Sequence, residues 1–263
     1  MIGFNALGQL GRLGNQMFQF AATKGIARHR GYNYCIPPTK NQNEWTDHQL
    51  LNPFKLGATT PLNVQFIDPD RPTIRESGFN FDEELFNECP DWVSLQGFFQ
   101  TEKYFKHIRD ELLLDFEFRD EILEPAKKTM SYWRDPIGLH IRRTDYLTNP
   151  NHNILPMSYY DEALSMFDSN RDVIIFSDDP EWCMLVPQFN DDRFMVSETK
   201  NNYMDLCLFS LCKDHIIANS SFSWWGAWLA NDNQVIAPKA WFEASNNQHL
   251  DVSDLIPDTW EKI

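Results

Sequence analysis

The chain has 263 residues, of which 42% are hydrophobic and 14% aromatic, and it carries a formal net charge of −15. The apolar content is ample for a packed core, which excludes a disordered protein, and the length suits one large domain or two small ones. The negative charge argues against a general nucleic-acid or anionic-membrane binder, so an anionic ligand must be bound by a local group of basic side chains.

The sequence shows no pattern typical of an export signal or a membrane span. It has no apolar run of about 18 residues, and its first residues lack the basic segment and cleavage site of a signal peptide. The five cysteines are scattered, without the spacing of a zinc site or a redox pair. We therefore expect a reduced, cytoplasmic protein without a transmembrane segment, and leave peripheral contact with a membrane open.

The first half opens as strand, glycine-rich turn and helix. The strand is expected over residues 2–7, and Asn15 is expected to cap a helix that ends near Gly31. The turn between them contains Gly8, Gly11 and Gly14. Their spacing fits neither a dinucleotide-binding loop nor a phosphate-binding loop, so they allow close backbone approach to a ligand or simply a tight turn.

The rest of the first half is less regular. A loop-rich region is expected over residues 36–75, and an apolar patch over 93–99 leads into a helix near 102–114. The charged, proline-containing segment 115–135 then indicates a domain boundary. We place the domains at residues 1–130 and 131–263.

Short apolar strands alternate with helices from residue 137 onward. Strands are expected at 137–141, 173–176, 194–196, 216–218 and 235–237, with helices at 158–167, 203–212 and 223–230. This alternation predicts a parallel sheet with helices on both faces, and ligands bind such sheets at the carboxyl ends of the strands. Three polar clusters follow strands and should converge on one crevice: residues 140–145, 177–179 and 219–223.

The first cluster contains two adjacent arginines, Arg142 and Arg143. The planar guanidinium group matches phosphate oxygens two at a time and keeps its charge at all working pH values. Neighbouring residues in a strand point to opposite faces, so one arginine should reach the ligand while the other braces the site, with Asp145 as its expected partner. The alternative is a surface ion-pair cluster.

The other two clusters each admit two interpretations. Asp178 is expected to contact a guanine edge or a metal, whereas Asp179 before Pro180 suits a helix cap. Residues 219–223 suit either an anion site at a helix N-terminus or serine capping alone. No histidine pair at helical spacing and no nucleophile elbow is present, and the acid pair Asp68 and Asp70 lies in a loop-rich segment, so no metal site is expected.

Four motifs together resemble those of the α-1,2-fucosyltransferases of bacteria and animals, which use GDP-fucose. They are residues 11–21 (GRLGNQMFQFA), 96–105 (QGFFQTEKYF), 140–145 (HIRRTD) and 218–229 (ANSSFSWWGAWL). The resemblance implies an α/β fold of GT-B type, with two Rossmann-like domains facing a cleft. It also implies inverting transfer of L-fucose from GDP-β-L-fucose to the 2-hydroxyl of a galactose-containing glycan, without a cofactor or an essential metal.

The same resemblance implies roles for individual residues. Arg142 would hold the β-phosphate, His140 would lie near the nucleotide, and Asp178 would meet guanine. The C-terminal domain would bind GDP-fucose, and the N-terminal domain would form the acceptor side. Further donor contacts would come from Arg143, Ser221, Phe222 and Ser223, and from Arg12, Gly14 and Asn15 in the Gly-Asn loop, where Asn15 would face the fucose and the pyrophosphate.

The sequence leaves two candidates for the general base. Asp145 and His152 both follow the phosphate motif, and Asp145 is alternatively a structural partner of Arg143. Residues 146–153 match the family's sequences only in part. This departure bears on the identity of the acceptor more than on that of the donor. Three other functions remain: a related transferase with another linkage or GDP-sugar, a non-catalytic nucleotide-sugar-binding protein, and a metal-dependent transferase using Asp68 and Asp70 or Asp178 and Asp179.

Overall fold

A computed structural model describes residues 1–39, 47–230, 232–243 and 250–263. It divides the chain into two compact units. The first contains Met1–Arg119 and Leu250–Pro257, and the second contains Asp120–His249 and Asp258–Ile263. The boundary therefore differs from the expected position at residue 130, and a C-terminal segment returns to the first unit. No helix among the described residues is both long and apolar enough to cross a bilayer.

The first unit contains a parallel four-stranded sheet in the order β2-β1-β4-β3. Its elements are β1 (Ile2–Gly3), α1 (Leu13–Arg30), β2 (Tyr34–Cys35), β3 (Thr73–Arg75), α2 (Glu83–Glu88), β4 (Val93–Gln96) and α3 (Arg109–Asp115). Because all four strands run the same way, the segments that follow β1, β3 and β4 leave from the same edge of the sheet.

Several expectations for this unit need correction. The first strand covers only Ile2–Gly3, because the chain enters the glycine-rich turn early. Helix α1 begins at Leu13 with Arg12 at the N-cap position, so Asn15 lies in the first turn and is not the cap. The helix expected near 102–114 is two 3-10 turns followed by α3. The expected loop 36–75 contains β3, and its residues 40–46 lie outside the described part.

The predicted end of α1 is confirmed. Gly31 stands at the C-cap with φ of +70°, and its N–H donates to the carbonyl of Arg28. Glycine adopts this left-handed conformation without the steric cost that a Cβ brings.

The second unit contains a six-stranded parallel sheet in the order β10-β9-β8-β5-β6-β7. The strands are β5 (Ile137–Ile141), β6 (Val173–Ser177), β7 (Phe194–Val196), β8 (Asp214–Ile216), β9 (Val235–Ala237) and β10 (Glu261–Lys262). The helices are α4 (Asp120–Met130), α5 (Met157–Ser165), α6 (Pro180–Cys183), α7 (Asn202–Ser210) and α8 (Ser221–Leu229).

Helices cover both faces of this sheet, as the alternating pattern predicts. Ile137, Leu139 and Ile141 of β5 share one core with Tyr159 and Ala163 of α5. The intervening position, Gly138, faces the other side. A Cβ there would lie 3.1 Å from the ring of Phe209 on α7, so the glycine makes room for that ring. The alternation of side chains along β5 therefore separates the two faces.

Candidate active site

Arg142 follows the carboxyl end of β5 and is held by two carboxylates. Its Nη2 lies 2.7 Å from Asp145 Oδ1, and its Nη1 lies 3.2 Å from Asp178 Oδ2. The guanidinium also lies over the ring of Tyr146, 5.5 Å from the centroid. The side chain is only 16% exposed. The cation is thus fixed at the strand end before any ligand binds.

Asp178 organises the turn that carries this arginine. Its carboxylate accepts hydrogen bonds from the backbone N–H of Arg143 at 2.9 Å and of Thr144 at 3.1 Å, and from the Thr144 hydroxyl. Burial acts to raise the pKa of Asp178, but the bond from Thr144 and the charge of Arg142 outweigh it and lower the pKa. Both carboxylate oxygens are thus engaged by the turn, and the expected guanine contact stays a prediction.

The second arginine has a different set of partners. Arg143 Nε lies 3.1 Å from Asp179 Oδ2, and its guanidinium stacks 3.9 Å above the ring of Trp182. Asp179 also accepts the N–H of Trp182 through Oδ1 and caps α6, which confirms the expected cap. The expected pairing of Arg143 with Asp145 is wrong, because Asp145 pairs with Arg142.

His140 links β5 to α8 inside the unit. The residue is 4% exposed, and its Nδ1 lies 2.9 Å from the Ser223 hydroxyl oxygen. Burial lowers the pKa of His140 to about 3; the Arg142 charge adds to this effect and Asp178 opposes it. The imidazole is therefore neutral near pH 7. The ring of Phe222 lies 5.1 Å from it, centroid to centroid.

Helix α8 starts at Ser221, two residues earlier than expected. Ser220 occupies the N-cap position, but within the described chain its side chain makes no capping bond. The N–H groups of a first turn have no partner inside a helix and carry the positive end of its dipole. Ser221 and Phe222 are partly exposed there, whereas Ser223 is buried.

His152, a candidate base, packs into the same cluster. Its ring stacks on Tyr146 with centroids 4.3 Å apart and an interplanar angle of 6°, and the Tyr146 hydroxyl donates to the Asn219 carbonyl at 2.8 Å. Burial lowers the pKa of His152, although Asp145 opposes this. Its Nδ1 is buried and has no hydrogen-bond partner among the described residues. Sequence reasoning missed Tyr146, although its position four residues after Arg142 was a signal.

The expected Gly-Asn loop residues lie in the first unit. Asn15 Oδ1 accepts a hydrogen bond from Gln100 Nε2 at 2.8 Å. Gly11 has φ of +84°, and a Cβ there would lie 2.1 Å from Asn15 Nδ2. Arg12 is exposed and Gly14 is buried. Gln100 was not identified as a site residue, although it falls inside the motif at residues 96–105.

The chain matches known glycosyltransferases along nearly all of its length. The sequence profile of Glycosyl transferase family 11 matches residues 2–261. The O-antigen biosynthesis glycosyltransferase WbnK of Escherichia coli is 29% identical over 95% of this chain and 97% of its own. An alpha-1,2-colitosyltransferase of Escherichia coli is 31% identical over 96% of both chains. The galactoside alpha-(1,2)-fucosyltransferase 1 of Bos taurus is 24% identical over 86% of this chain and 66% of its own.

Two solved structures share the fold at low sequence identity. POFUT1 in complex with GDP has a TM-score of 0.54 at 13% identity, over 90% of this chain and 97% of its own. The NodZ alpha-1,6-fucosyltransferase co-crystallised with GDP has a TM-score of 0.55 at 11% identity, over 87% of this chain and 92% of its own. These likenesses confirm the predicted α/β fold of GT-B type.

Proposed function

Because the chain belongs to glycosyl transferase family 11, we propose that it is a galactoside 2-α-L-fucosyltransferase. It transfers L-fucose from GDP-β-L-fucose to the 2-hydroxyl of a terminal β-galactoside in glycan biosynthesis. The observation that carries the proposal is the preset Arg142, which is half-buried and paired with Asp145 and Asp178 at the carboxyl end of β5.

Arg142 suits a diphosphate leaving group. A guanidinium group has more N–H donors than two carboxylates occupy, so donors remain for phosphate oxygens. Negative charge develops on GDP as the bond to fucose breaks, and a cation already in position stabilises that charge without reorganising. The first-turn N–H groups of α8 add to this field, and we propose that Ser221 and Phe222 contact the GDP-sugar. Ser223 is buried, so it supports this turn through its hydrogen bond with His140. We propose that Arg142 and these N–H groups stabilise the charge of the leaving GDP in place of a divalent metal.

The acceptor hydroxyl loses its proton during the transfer. The transition state has oxocarbenium character, which lessens the need for a strong base. Asp145 and His152 both stay candidates. The neutral ring of His152 can accept a proton, whereas Asp145 must first loosen its ion pair with Arg142. We propose that Arg12, Gly14 and Asn15 also contact the sugar donor.

A second donor has specific support. The colitosyltransferase relative shares 31% identity with this chain, more than the bovine fucosyltransferase at 24%. Both relatives carry the 1,2 linkage in their names, so the linkage is better supported than the sugar. A donor in which colitose replaces fucose is therefore the alternative.

The test is a matched screen of donors and acceptors. GDP-fucose and GDP-colitose are each incubated with a panel of β-galactosides, and the molecular masses of the products are measured by mass spectrometry. We expect a mass increase of one fucosyl residue on at least one galactoside. Transfer from GDP-colitose alone would replace the proposed donor, and GDP binding without transfer from either donor would indicate a binding protein.

A further inference from the structure

The turn at residues 97–100 follows β4 in the first unit and has an unusual backbone. Gly97 has φ of +157° and Phe99 has φ of +54°. A non-glycine residue in the left-handed region is uncommon, and such conformations persist only where the surroundings hold them. Something must therefore hold this turn.

Glu76, directly after β3, holds the turn from one side. Its Oε2 accepts the backbone N–H of Phe98 at 2.8 Å and of Phe99 at 2.9 Å. A Cβ at Gly97 would lie 2.6 Å from the same oxygen, so the carboxyl group sits close against the backbone. Burial raises the pKa of Glu76 to about 7, against the effect of the two N–H bonds. Its other oxygen, Oε1, is buried without a partner among the described residues.

Two glutamines connect the turn at residues 97–100 to the glycine-rich turn and to the start of α1. Gln19 on α1 is fully buried, and its Nε2 donates to the carbonyls of Gly97 at 3.1 Å and Leu10 at 3.0 Å. Gln100 is 7% exposed, and its Nε2 donates to Asn15 Oδ1. The orientation of the Asn15 amide is thus coupled to the turn that Glu76 holds.

We propose that Glu76 is a positioning residue for glycosyl transfer, which sets the Asn15 amide by holding the turn at residues 97–100. The inference rests on the proposed function, in which Asn15 contacts the donor. Glu76 itself does not touch substrate, because Oε2 is engaged by the backbone and Oε1 is buried. Glu76 influences the reaction through the turn that carries Gln100, which bonds the Asn15 amide.

The test starts with two variants of this residue. Glu76→Ala removes both bonds to the turn, whereas Glu76→Gln keeps one oxygen that can accept both N–H groups. We expect Glu76→Ala to lower kcat about 100-fold, the size of effect that misplacement by about 1 Å produces, with KM for the donor changed far less. Glu76→Gln should retain most of the activity. Equal losses in both variants would overturn the positioning role.

A double-mutant cycle with Asn15 separates positioning from general destabilisation. If Glu76 acts through Asn15, then Glu76→Ala adds little to the loss already caused by Asn15→Ala. The matched control is Thr60→Ala, which removes the hydroxyl bond to Asn63 Oδ1 in the same unit. Its effect should add fully to that of Asn15→Ala. Full additivity for Glu76 as well would overturn the proposal.

Amide hydrogen exchange without substrate distinguishes failure of the positioning role from failure of the proposed function. The Phe98 and Phe99 amides should be protected in the wild-type protein and in Glu76→Gln, and should exchange faster in Glu76→Ala. An unchanged exchange rate in Glu76→Ala overturns the positioning role alone. A wild-type protein that transfers no sugar overturns the proposed function, and the positioning role with it.

Discussion

The two adjacent arginines of the second unit pair with separate carboxylates. Arg142 contacts Asp145 and Asp178, and Arg143 contacts Asp179. The sequence indicated that one arginine would contact the ligand and the other would brace the site. It did not indicate which carboxylate each arginine pairs with. The strand ends at Ile141, so the alternation of side chains along a strand does not extend to the arginines. The turn that follows brings Asp145 back to Arg142, and this turn geometry depends on Asp178, which is distant in sequence.

Replacing Arg142 tests its proposed contact with the leaving group. We expect Arg142→Ala to lower transfer by about 100-fold or more, the usual effect of removing a preorganised charge stabiliser. Circular dichroism should show a retained fold. The control is Arg134→Ala, which removes an exposed arginine before the amino end of β5. A variant that keeps more than about a tenth of the wild-type rate would remove Arg142 from the mechanism.

Replacing Asp178 distinguishes turn-holding from guanine recognition. In Asp178→Asn the charge that faces Arg142 is lost, and one acceptor oxygen becomes a donor facing backbone N–H groups. We expect reduced transfer with an unchanged preference for GDP over IDP, which lacks the guanine 2-amino group, in inhibition assays. A lost preference for GDP would instead support the guanine contact predicted from the sequence.

The buried His140 predicts a pH dependence of stability. Its folded pKa of about 3 lies below the ordinary value of 6.5, so the folded state binds fewer protons than the unfolded state between these values. Its contribution to stability is full above about pH 6.5 and is lost as the pH falls toward 3. Urea unfolding of the wild-type protein and His140→Gln should show a difference in unfolding free energy that shrinks between pH 7.5 and 5. A difference independent of pH would contradict the buried, neutral assignment.

At the level of elements, the strands of the second unit were predicted better than those of the first, where β2 and β3 were missed. Strand β8 lies two residues before its expected position. Strands β5, β7 and β9 match their expected bounds, because short apolar runs between polar clusters leave few alternatives. Helix α4 was read as part of a linker, since it is charged, contains Pro125 and buries only Ile122 and Ala126. Its packing against α7 is a tertiary effect that local sequence does not reveal.

The close contact between α7 and α8 predicts that Gly226→Ala destabilises the protein, although replacing glycine by alanine normally favours a helix. In Gly226→Ala the new Cβ would lie 2.4 Å from the Phe209 ring, which also packs against His140 and Phe176. We expect a loss of about 1–3 kcal/mol in unfolding free energy, typical of overpacking, in place of the usual gain. Thermal unfolding measures it. Combining the change with Phe209→Leu should cost less than the sum of the two, and additive losses would contradict the contact.

At the scale of the whole molecule, the chain is acidic and its proposed donor is anionic. The net charge of −15 repels a nucleotide at long range, so we propose that binding depends on the arginines at the end of β5. The sequence predicted the fold class and family through motifs distributed along the chain. It did not predict the return of Leu250–Pro257 to the first unit, where Asp254 accepts the N–H of Phe81 and pairs with Lys103. Those partners are more than a hundred residues apart.

Product analysis in the presence of EDTA tests whether the protein transfers fucose to the galactose 2-hydroxyl without a metal. The wild-type protein is incubated with GDP-β-L-fucose and a terminal β-galactoside, and the purified product is examined by NMR. The proposed activity predicts an undiminished rate in excess chelator and an α-anomeric fucose on the galactose 2-hydroxyl. A rate that requires added magnesium or manganese, a β-anomeric product, or attachment at another hydroxyl would contradict it.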